Sequence, residues 1–229
     1  MTLVVPRPTQ VALLKHPTLP GQGASAGEVG LKSGRLLIAG ALISSALSGC
    51  AVLGGGTPAL DTYELSAAQT SESGPRRSRA QILIAEPSAL KSLDGQNIVI
   101  KPSPGEIQYL KGAQWADRLP KVVQAKLAEA FQSTGRVGGV GKPGEGLAID
   151  YQVITEIRAF EIRLGGGDQA YVELFVRILN DRNGTVRASR SFTAQSSVSG
   201  TGNPAYAAAL DRAFHAATDE IVDWSLGRI

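Results

Sequence analysis

The longest stretch of alternating apolar and polar positions runs from Leu147 to Arg163. Its odd positions are mostly apolar as far as Ile157, with polar residues between them, which is the two-residue period of a half-buried β-strand. After Ile157 the apolar positions move to even numbers, beginning with Phe160. This change predicts one long strand with a β-bulge near Arg158.

Two more alternating segments follow, at residues 171–179 and 186–195. A glycine-rich turn at 165–168 precedes the first, and a turn containing Asn183 and Gly184 separates the two. Asn-Gly between alternating runs is a strong signal for a β-hairpin. The three segments therefore predict an antiparallel meander.

Shorter apolar segments predict additional strands at residues 61–65, 81–85, 97–101 and 106–110. The last two are separated by Pro-Ser-Pro-Gly, a turn sequence that favours a hairpin.

Two segments have apolar residues at helical spacing. The first covers residues 119–131, with Pro120 in its first turn and Gly135 at its end. The second covers residues 206–224, and Asn203 is its predicted N-cap.

Together these elements predict an α/β fold of the α+β type. A single layered domain spans residues 61–229, in which two amphipathic helices pack on a mixed, mostly antiparallel sheet. A signal peptide precedes this domain.

The N-terminal region has the pattern of a secretory signal. Lys32 and Arg35 precede twelve apolar or small residues at 36–47. That run is too short to cross a membrane, which takes about 20 apolar residues. The predicted leader is residues 1–49. Its opening part is longer and richer in Pro and Gly than an ordinary basic n-region, which favours a translation start near residue 29.

The end of the leader, Leu47, Ser48, Gly49 and Cys50, resembles the lipobox of bacterial lipoproteins. In that class diacylglycerol alkylates the cysteine thiol, the leader is cleaved before it, and the new amino terminus receives an acyl chain such as palmitate. Cys50 is the only cysteine in the chain. The resemblance implies a lipid anchor at Cys50, and the glycine-rich residues 50–60 form the predicted flexible tether.

Ala51 follows this cysteine, whereas lipoproteins retained in the inner membrane usually carry Asp there. The resemblance therefore favours the inner leaflet of the outer membrane, with the domain in the periplasm. Several buried acyl chains anchor a protein stably, at about 0.8 kcal/mol per methylene.

Charge and composition exclude several classes of function. The chain has 23 Lys and Arg against 20 Asp and Glu. The excess of three lies in residues 1–49, with four basic residues and one acidic, so residues 50–229 are neutral overall. A neutral domain argues against nucleic acid as a partner. One cysteine and two histidines exclude a disulfide framework and a Cys- or His-rich metal centre. We expect no cofactor other than the covalent lipid on Cys50.

Two short patterns hint at enzyme chemistry but favour other roles. Residues 139–144 match G-x-G-x-x-G, yet Pro143 and a strand follow where the dinucleotide fingerprint needs a helix. His215 has Asp211 and Asp219 one helical turn away, but the chain lacks a nucleophile elbow. We predict a loop and a helix-surface histidine, and no catalytic residue.

Aromatic side chains before the first helix are the candidates for partner contact. Tyr109 lies in a predicted strand, and Trp115 lies in a predicted polar loop. Both are assigned to a candidate partner interface. The alternative for Trp115 is burial beneath the first helix, and Trp224 is predicted to be a core residue.

The order of motifs in residues 50–229 resembles the ABC-type transport auxiliary lipoprotein family. It comprises the lipobox, a Tyr-x-Leu strand at 63–65, the segment 109–120, and a C-terminal helix carrying Trp224. The segment 109–120 is the most specific part of the resemblance.

The resemblance implies a non-enzymatic subunit of an ABC lipid transport system that docks the transporter at the outer membrane and supports membrane integrity. Its implied partners are an MCE-domain protein and the ABC permease and ATPase of the same system. A homo-oligomer that matches a ring-shaped partner is compatible with it. Two alternatives stay open: a general cell-envelope assembly lipoprotein without a role in lipid transport, and a periplasmic hydrolase that uses His215.

Overall fold

The computed structural model of the protein describes residues 59–67 and 78–229, all within one unit, Thr57–Ile229. The predicted leader and most of the predicted tether lie outside the described residues. So do four predicted site residues: Leu47, Ser48, Gly49 and Cys50.

The described part of the chain contains nine strands and two helices. The strands are β1 (Asp61–Tyr63), β2 (Gln81–Ile84), β3 (Ser88–Ala89), β4 (Asn97–Lys101), β5 (Gln108–Trp115), β6 (Gly139–Gly141), β7 (Tyr151–Arg163), β8 (Gln169–Asn180) and β9 (Thr185–Ser197). The helices are α1 (Leu119–Ser133) and α2 (Gly202–Leu226).

Strand β7 is the centre of the sheet because other strands pair with both of its edges. Along one edge β8 pairs with it antiparallel over its full length. Along the other edge β2, β3 and β4 pair in parallel with successive parts of it. The sheet continues from β8 to β9, from β4 through β5 to β1, and from β2 to β6.

The predicted meander and its bulge are confirmed. Strands β7, β8 and β9 pair in sequence as antiparallel neighbours. The register of β7 with β8 shifts between Ile157 and Ala159, where the change of period predicts the bulge. Consequently Val153 and Ile157 before the bulge share one buried face with Phe160 after it. The strand begins at Tyr151, four residues later than predicted.

The predicted mixed sheet is confirmed, but more of its pairings are parallel than expected. Five of the eight strand pairings in the described residues are parallel, and the three antiparallel ones are the β4–β5 hairpin and the meander. The parallel pairs are only two or three residues long. They join strands separated by long connections, four of which contain α1, as parallel pairing requires. The patterning did not predict the two shortest strands, β3 and β6.

Both helices pack on the same face of the sheet, and the predicted helices are confirmed. Their apolar faces and the inward strand positions form a core that includes the buried rings of Phe131, Phe160 and Phe214. Helix α1 has Pro120 in its first turn, and Gly135 follows its end with φ +59°, the left-handed conformation common after a helix C-terminus. Neither helix in the described part is both long and apolar enough to cross a membrane.

The predicted N-cap of the second helix is corrected by the structure. Helix α2 begins at Gly202, so Asn203 lies inside its first turn, and Thr201 occupies the cap position without a side-chain cap bond. The amide Nδ2 of Asn203 instead donates to the carbonyl oxygen of Lys111 in β5, at 3.0 Å. This bond joins the start of α2 to the sheet.

The carboxylate of Asp150 connects the start of β2 to the turn after β8. It accepts hydrogen bonds from the backbone N–H of Gln81 at 3.0 Å and from Nε of Arg182 at 3.0 Å. The Gln81 N–H first, and the Arg182 guanidinium second, hold the pKa of the Asp150 carboxyl below its usual range. The folded state therefore favours the ionised form. The resulting stabilisation is present above the unfolded-chain pKa of about 3.9 and is lost as the pH falls through the lower folded value.

We expect Asp150→Asn to lower the free energy of unfolding by about 1–2 kcal/mol near neutral pH, because two donors lose a charged acceptor. The difference from the unaltered chain should shrink at an acidic pH below the unfolded-chain value of about 3.9, as the pH falls toward the lower folded pKa of the Asp150 carboxyl. Urea unfolding at the two pH values measures this. An equal loss of stability at both values would contradict the assigned electrostatic role.

Candidate partner-binding surface

Strand β5 turns its two aromatic residues to opposite faces of the sheet. The prediction ends this strand at residue 110, whereas β5 continues to Trp115, so the predicted polar loop is a strand. The register between β4 and β5 shifts within β5, and Gly112 there has φ +72°. This left-handed conformation suits glycine and interrupts the two-residue alternation. Tyr109, before the irregularity, and Trp115, after it, therefore face different environments.

Trp115 is part of the core. Its side chain is 1% exposed, and its ring meets Phe160 edge-on with 5.6 Å between centroids. Phe160 in turn lies 6.0 Å from Phe214 of α2. The structure thus supports the core alternative for Trp115 and corrects its assignment to a partner interface, since it offers no surface to a partner. Trp224 is also a core residue, as predicted, and contacts Phe192 edge-on.

Tyr109 lies on the face that the helices leave uncovered, and it is 46% exposed. Tyr109 is paired with Val99 of β4, and Val99 is paired with Glu161 of β7. Glu161 is in turn paired with Tyr171 of β8, so the four residues form one row across the strands. Directly opposed residues in a sheet share a face, so these four side chains lie on one side of it. Phe160 and Ile162, the neighbours of Glu161 in β7, point the other way into the core.

We call the side of the sheet that faces away from the helices the open face, and Tyr109 of β5 lies on it. It mixes charged, aromatic and hydroxyl side chains, most of them partly or fully exposed. Its residues in β7, β8 and β9 include Glu156, Arg158, Glu161, Arg163, Tyr171, Glu173, Phe175, Arg177, Ser189, Ser191 and Thr193.

Arginine side chains on the open face stack on its aromatic rings. The guanidinium of Arg158 lies 4.1 Å from the centroid of Phe175, and that of Arg163 lies 3.3 Å from the centroid of Tyr171. Arg158 also pairs with Glu173 at 3.8 Å. These contacts hold long side chains in defined positions. Ordered arginine and aromatic side chains are the residue types that anchor protein interfaces.

The outer edge of strand β9 is a second exposed feature. Among the described residues β9 pairs only with β8, so one edge of this 13-residue strand has no neighbouring strand. An uncovered edge presents backbone N–H and C=O groups that can pair with a strand from another chain. Arg190 near its middle is held by Glu220 of α2, at 3.2 Å.

His215 belongs to a cluster with Ser66 and Asp211. The hydroxyl of Ser66 donates to Asp211 Oδ2 at 2.7 Å and lies 2.9 Å from His215 Nε2. Asp211 Oδ1 accepts the backbone N–H of Ser66 at 2.8 Å and lies 3.6 Å from the same Nε2. In a hydrolase triad the serine and the carboxylate contact different ring nitrogens. Here both contact Nε2, so the cluster fastens the segment after β1 to α2 and does not have triad geometry.

The glycine motif at residues 139–144 begins in β6, which pairs with β2. The chain continues through a turn into β7, not into the helix that a dinucleotide site uses to hold pyrophosphate. Within the described ranges no group of three or more His, Cys, Asp and Glu side chains could hold a metal ion.

The sequence matches the family of ABC-type transport auxiliary lipoprotein components over residues 63–222. The chain belongs to this family, as the motif order predicts. The match begins at the end of β1 and extends into α2, so it includes the open face.

The chain is also similar to one curated protein and to solved structures. An uncharacterised protein of Bradyrhizobium diazoefficiens is 32% identical over 177 residues, which are 76% of this chain and 47% of the relative. The chain thus spans about half the length of that relative. A crystal structure from Xanthomonas campestris, of family DUF330, is 30% identical with a TM-score of 0.67, over 73% of this chain and 95% of that one. Another crystal structure, 13% identical with a TM-score of 0.59, covers 73% of this chain and 99% of its own and shows a shared fold.

Sequence reasoning found Tyr109 but missed the rest of the open face. The signal was available in β8, where Tyr171, Glu173, Phe175 and Arg177 alternate with buried residues. Aromatic residues at outward positions of a strand are unusual enough to suggest a surface with a partner. Ser66 could not be found this way, because it lies 145 residues before Asp211.

The two aromatic residues of β5 should respond oppositely to truncation. We expect Trp115→Ala to lower the free energy of unfolding by about 3–5 kcal/mol, because it leaves a cavity beside Phe160. Tyr109→Ala should cost less than about 1 kcal/mol, since nearly half of this side chain is exposed. Urea unfolding of both variants measures the contrast, and similar losses would contradict the division of β5 between core and surface.

Proposed function

We propose that this chain is a lipid-anchored periplasmic subunit of an ABC lipid transport system that docks the transporter at the outer membrane and supports membrane integrity. Its partners are an MCE-domain protein and the ABC permease and ATPase of the same system. Family membership supports the transport role. The observation that carries the docking role is the open face, a large sheet surface with ordered arginine and aromatic side chains.

The anchor in this proposal is the acylated Cys50 in the inner leaflet of the outer membrane. Ten residues, 51–60, separate Cys50 from the start of β1. Even fully extended, ten residues reach at most about 35 Å. A domain on so short a tether stays near the membrane, and the raised effective concentration can replace intrinsic affinity for a partner.

Docking through the open face fits its chemistry. Charges of both signs alternate there, as in the Arg158 and Glu173 pair, and this suits recognition of one partner surface more than attraction of a polyanion. Tyr109 adds an exposed aromatic side chain on the same side of the sheet. A second copy of the chain that paired with the β9 edge would build a homo-oligomer.

We propose a binding role and not an enzymatic one. The cluster of Ser66, Asp211 and His215 supports this, because its hydrogen bonds join two elements of the fold. Asp211 contacts the same ring nitrogen of His215 as the serine does, whereas a triad carboxylate orients the ring through the other nitrogen.

The test is affinity purification of the full chain from detergent-solubilised envelopes, followed by mass spectrometry. We expect an MCE-domain protein and ABC subunits to co-purify. Cys50→Ala should greatly reduce their recovery, because the protein loses its place at the membrane. Tyr109→Ala should reduce recovery while leaving the anchor intact, with Lys121→Ala, exposed on α1 on the other side of the sheet, as the matched control. Recovery of outer-membrane assembly proteins alone would overturn the transport proposal in favour of a general envelope role.

A further inference from the structure

The end of the open face next to the β4–β5 turn contains a cleft of about 460 Å³. Lys101 forms one wall, Glu161, Arg163 and Leu164 form the other, and the turn at residues 102–105 closes it. The backbone N–H of Leu164 donates to the carbonyl oxygen of Lys101 at 3.0 Å, which fixes the two walls together. Its volume is that of small-molecule sites, which measure roughly 300–1,000 Å³.

A buried carboxylate lies in one wall of this cleft. Glu161 is only 3% exposed, and Arg163 Nε donates to its Oε1 at 2.9 Å. Lys101 Nζ lies 3.3 Å from its Oε2. Carboxylates are buried in proteins when such partners offset the loss of water. Two cations around one carboxylate leave the cleft with a formal charge of +1.

Arg163 is held in a position to bind an anion. Its guanidinium carbon lies over the ring of Tyr171, 3.3 Å from the centroid, and its Nε donates a hydrogen bond to Glu161. Nη1 and Nη2 have no hydrogen-bond partner in the part of the chain that the structure describes, and the side chain is 46% exposed. A planar pair of N–H donors in fixed orientation matches the oxygens of a phosphate group.

The rest of the cleft is mostly apolar. Pro102, Pro104 and Leu164 line it, beside the two cations and Ser103. Glu106 is the acidic residue that directly follows the turn at residues 102–105. Its carboxylate accepts hydrogen bonds from Ser103 and Gln108. The cleft therefore offers a cationic donor pair next to an apolar wall.

We propose that this cleft binds the phosphate group of an anionic phospholipid. The phosphate oxygens accept hydrogen bonds from Nη1 and Nη2 of Arg163 and pair with Lys101, while the glycerol and first acyl methylenes contact the two prolines and Leu164. The concave shape favours such an amphiphile over a side chain of a protein partner. The anion chemistry rests on the geometry, and the choice of a lipid as its source rests on the proposed function.

Isothermal titration calorimetry of the purified full chain tests this inference. The probes are dihexanoylphosphatidylglycerol, dihexanoylphosphatidylcholine and inorganic phosphate. We expect the anionic lipid to bind at least about tenfold more tightly than the zwitterionic lipid or free phosphate, because only it combines net charge with an apolar part. Raising the salt concentration should weaken this binding.

Variants assign the binding to the cleft. Arg163→Ala should weaken binding of the anionic lipid by about tenfold or more. Arg177 is exposed on the same open face but outside the cleft, so Arg177→Ala should leave the affinity for this lipid unchanged. Arg163→Lys keeps a cation beside Glu161 but removes the planar donor pair, so it should also weaken binding while preserving the fold. The Arg163→Lys variant tests the inference even if Arg163→Ala does not fold.

Three results would overturn the inference: no binding of the anionic lipid, binding insensitive to both Arg163 variants, or free phosphate binding as tightly as the lipid. This titration needs no partner protein. If it fails while the transporter subunits still co-purify, only the lipid site is lost. If it succeeds while those subunits do not co-purify, the site stands and the transport proposal falls.

Discussion

The β-bulge at Arg158 decides which side chains of the central strand face the core. Strand β7 pairs with neighbouring strands on both edges. Because opposed residues of paired strands share a face, the direction of the β7 side chains sets the direction of the side chains in its neighbours. Before the bulge the side chains of Val153 and Ile157 face the helices, and after the bulge the side chain of Phe160 faces them. Without the extra residue Phe160 would face outward and Glu161 would point at the helices, because a shift of one residue exchanges the two faces of a strand.

A second irregularity, at Gly112 in β5, has the same effect at the other side of the sheet. It places Trp115 against Phe160 in the core and leaves Tyr109 on the open face. The amide of Asn203 ties α2 to this part of β5 through the carbonyl of Lys111. The helices thus pack on one face, and the other face is left open, with its charged side chains held by ion pairs and aromatic stacking.

The sequence predicts the elements that have a clear period, and it predicts less where pairing depends on distant residues. The meander, its bulge near Arg158 and both helices follow from alternation and helical spacing. The short strands β3 and β6 could not be predicted, because two or three residues carry no period and exist as strands only through their neighbours. Trp115 was misplaced because Gly112 breaks the alternation that would have continued β5. The cleft beside Glu161 lies between two strand ends, Lys101 and Arg163, that are 62 residues apart in the chain, which no local pattern reveals.

Site-specific photo-crosslinking in intact cells detects whether the open face contacts the transporter, as we propose. A benzophenone amino acid would replace Tyr109 on the open face in one strain and Ala216, exposed on α2, in another. We expect a cross-link from position 109 to an MCE-domain or ABC subunit and none from position 216. Cross-links from position 216 alone would contradict the proposed docking, because they would place the partner on the helical side of the domain.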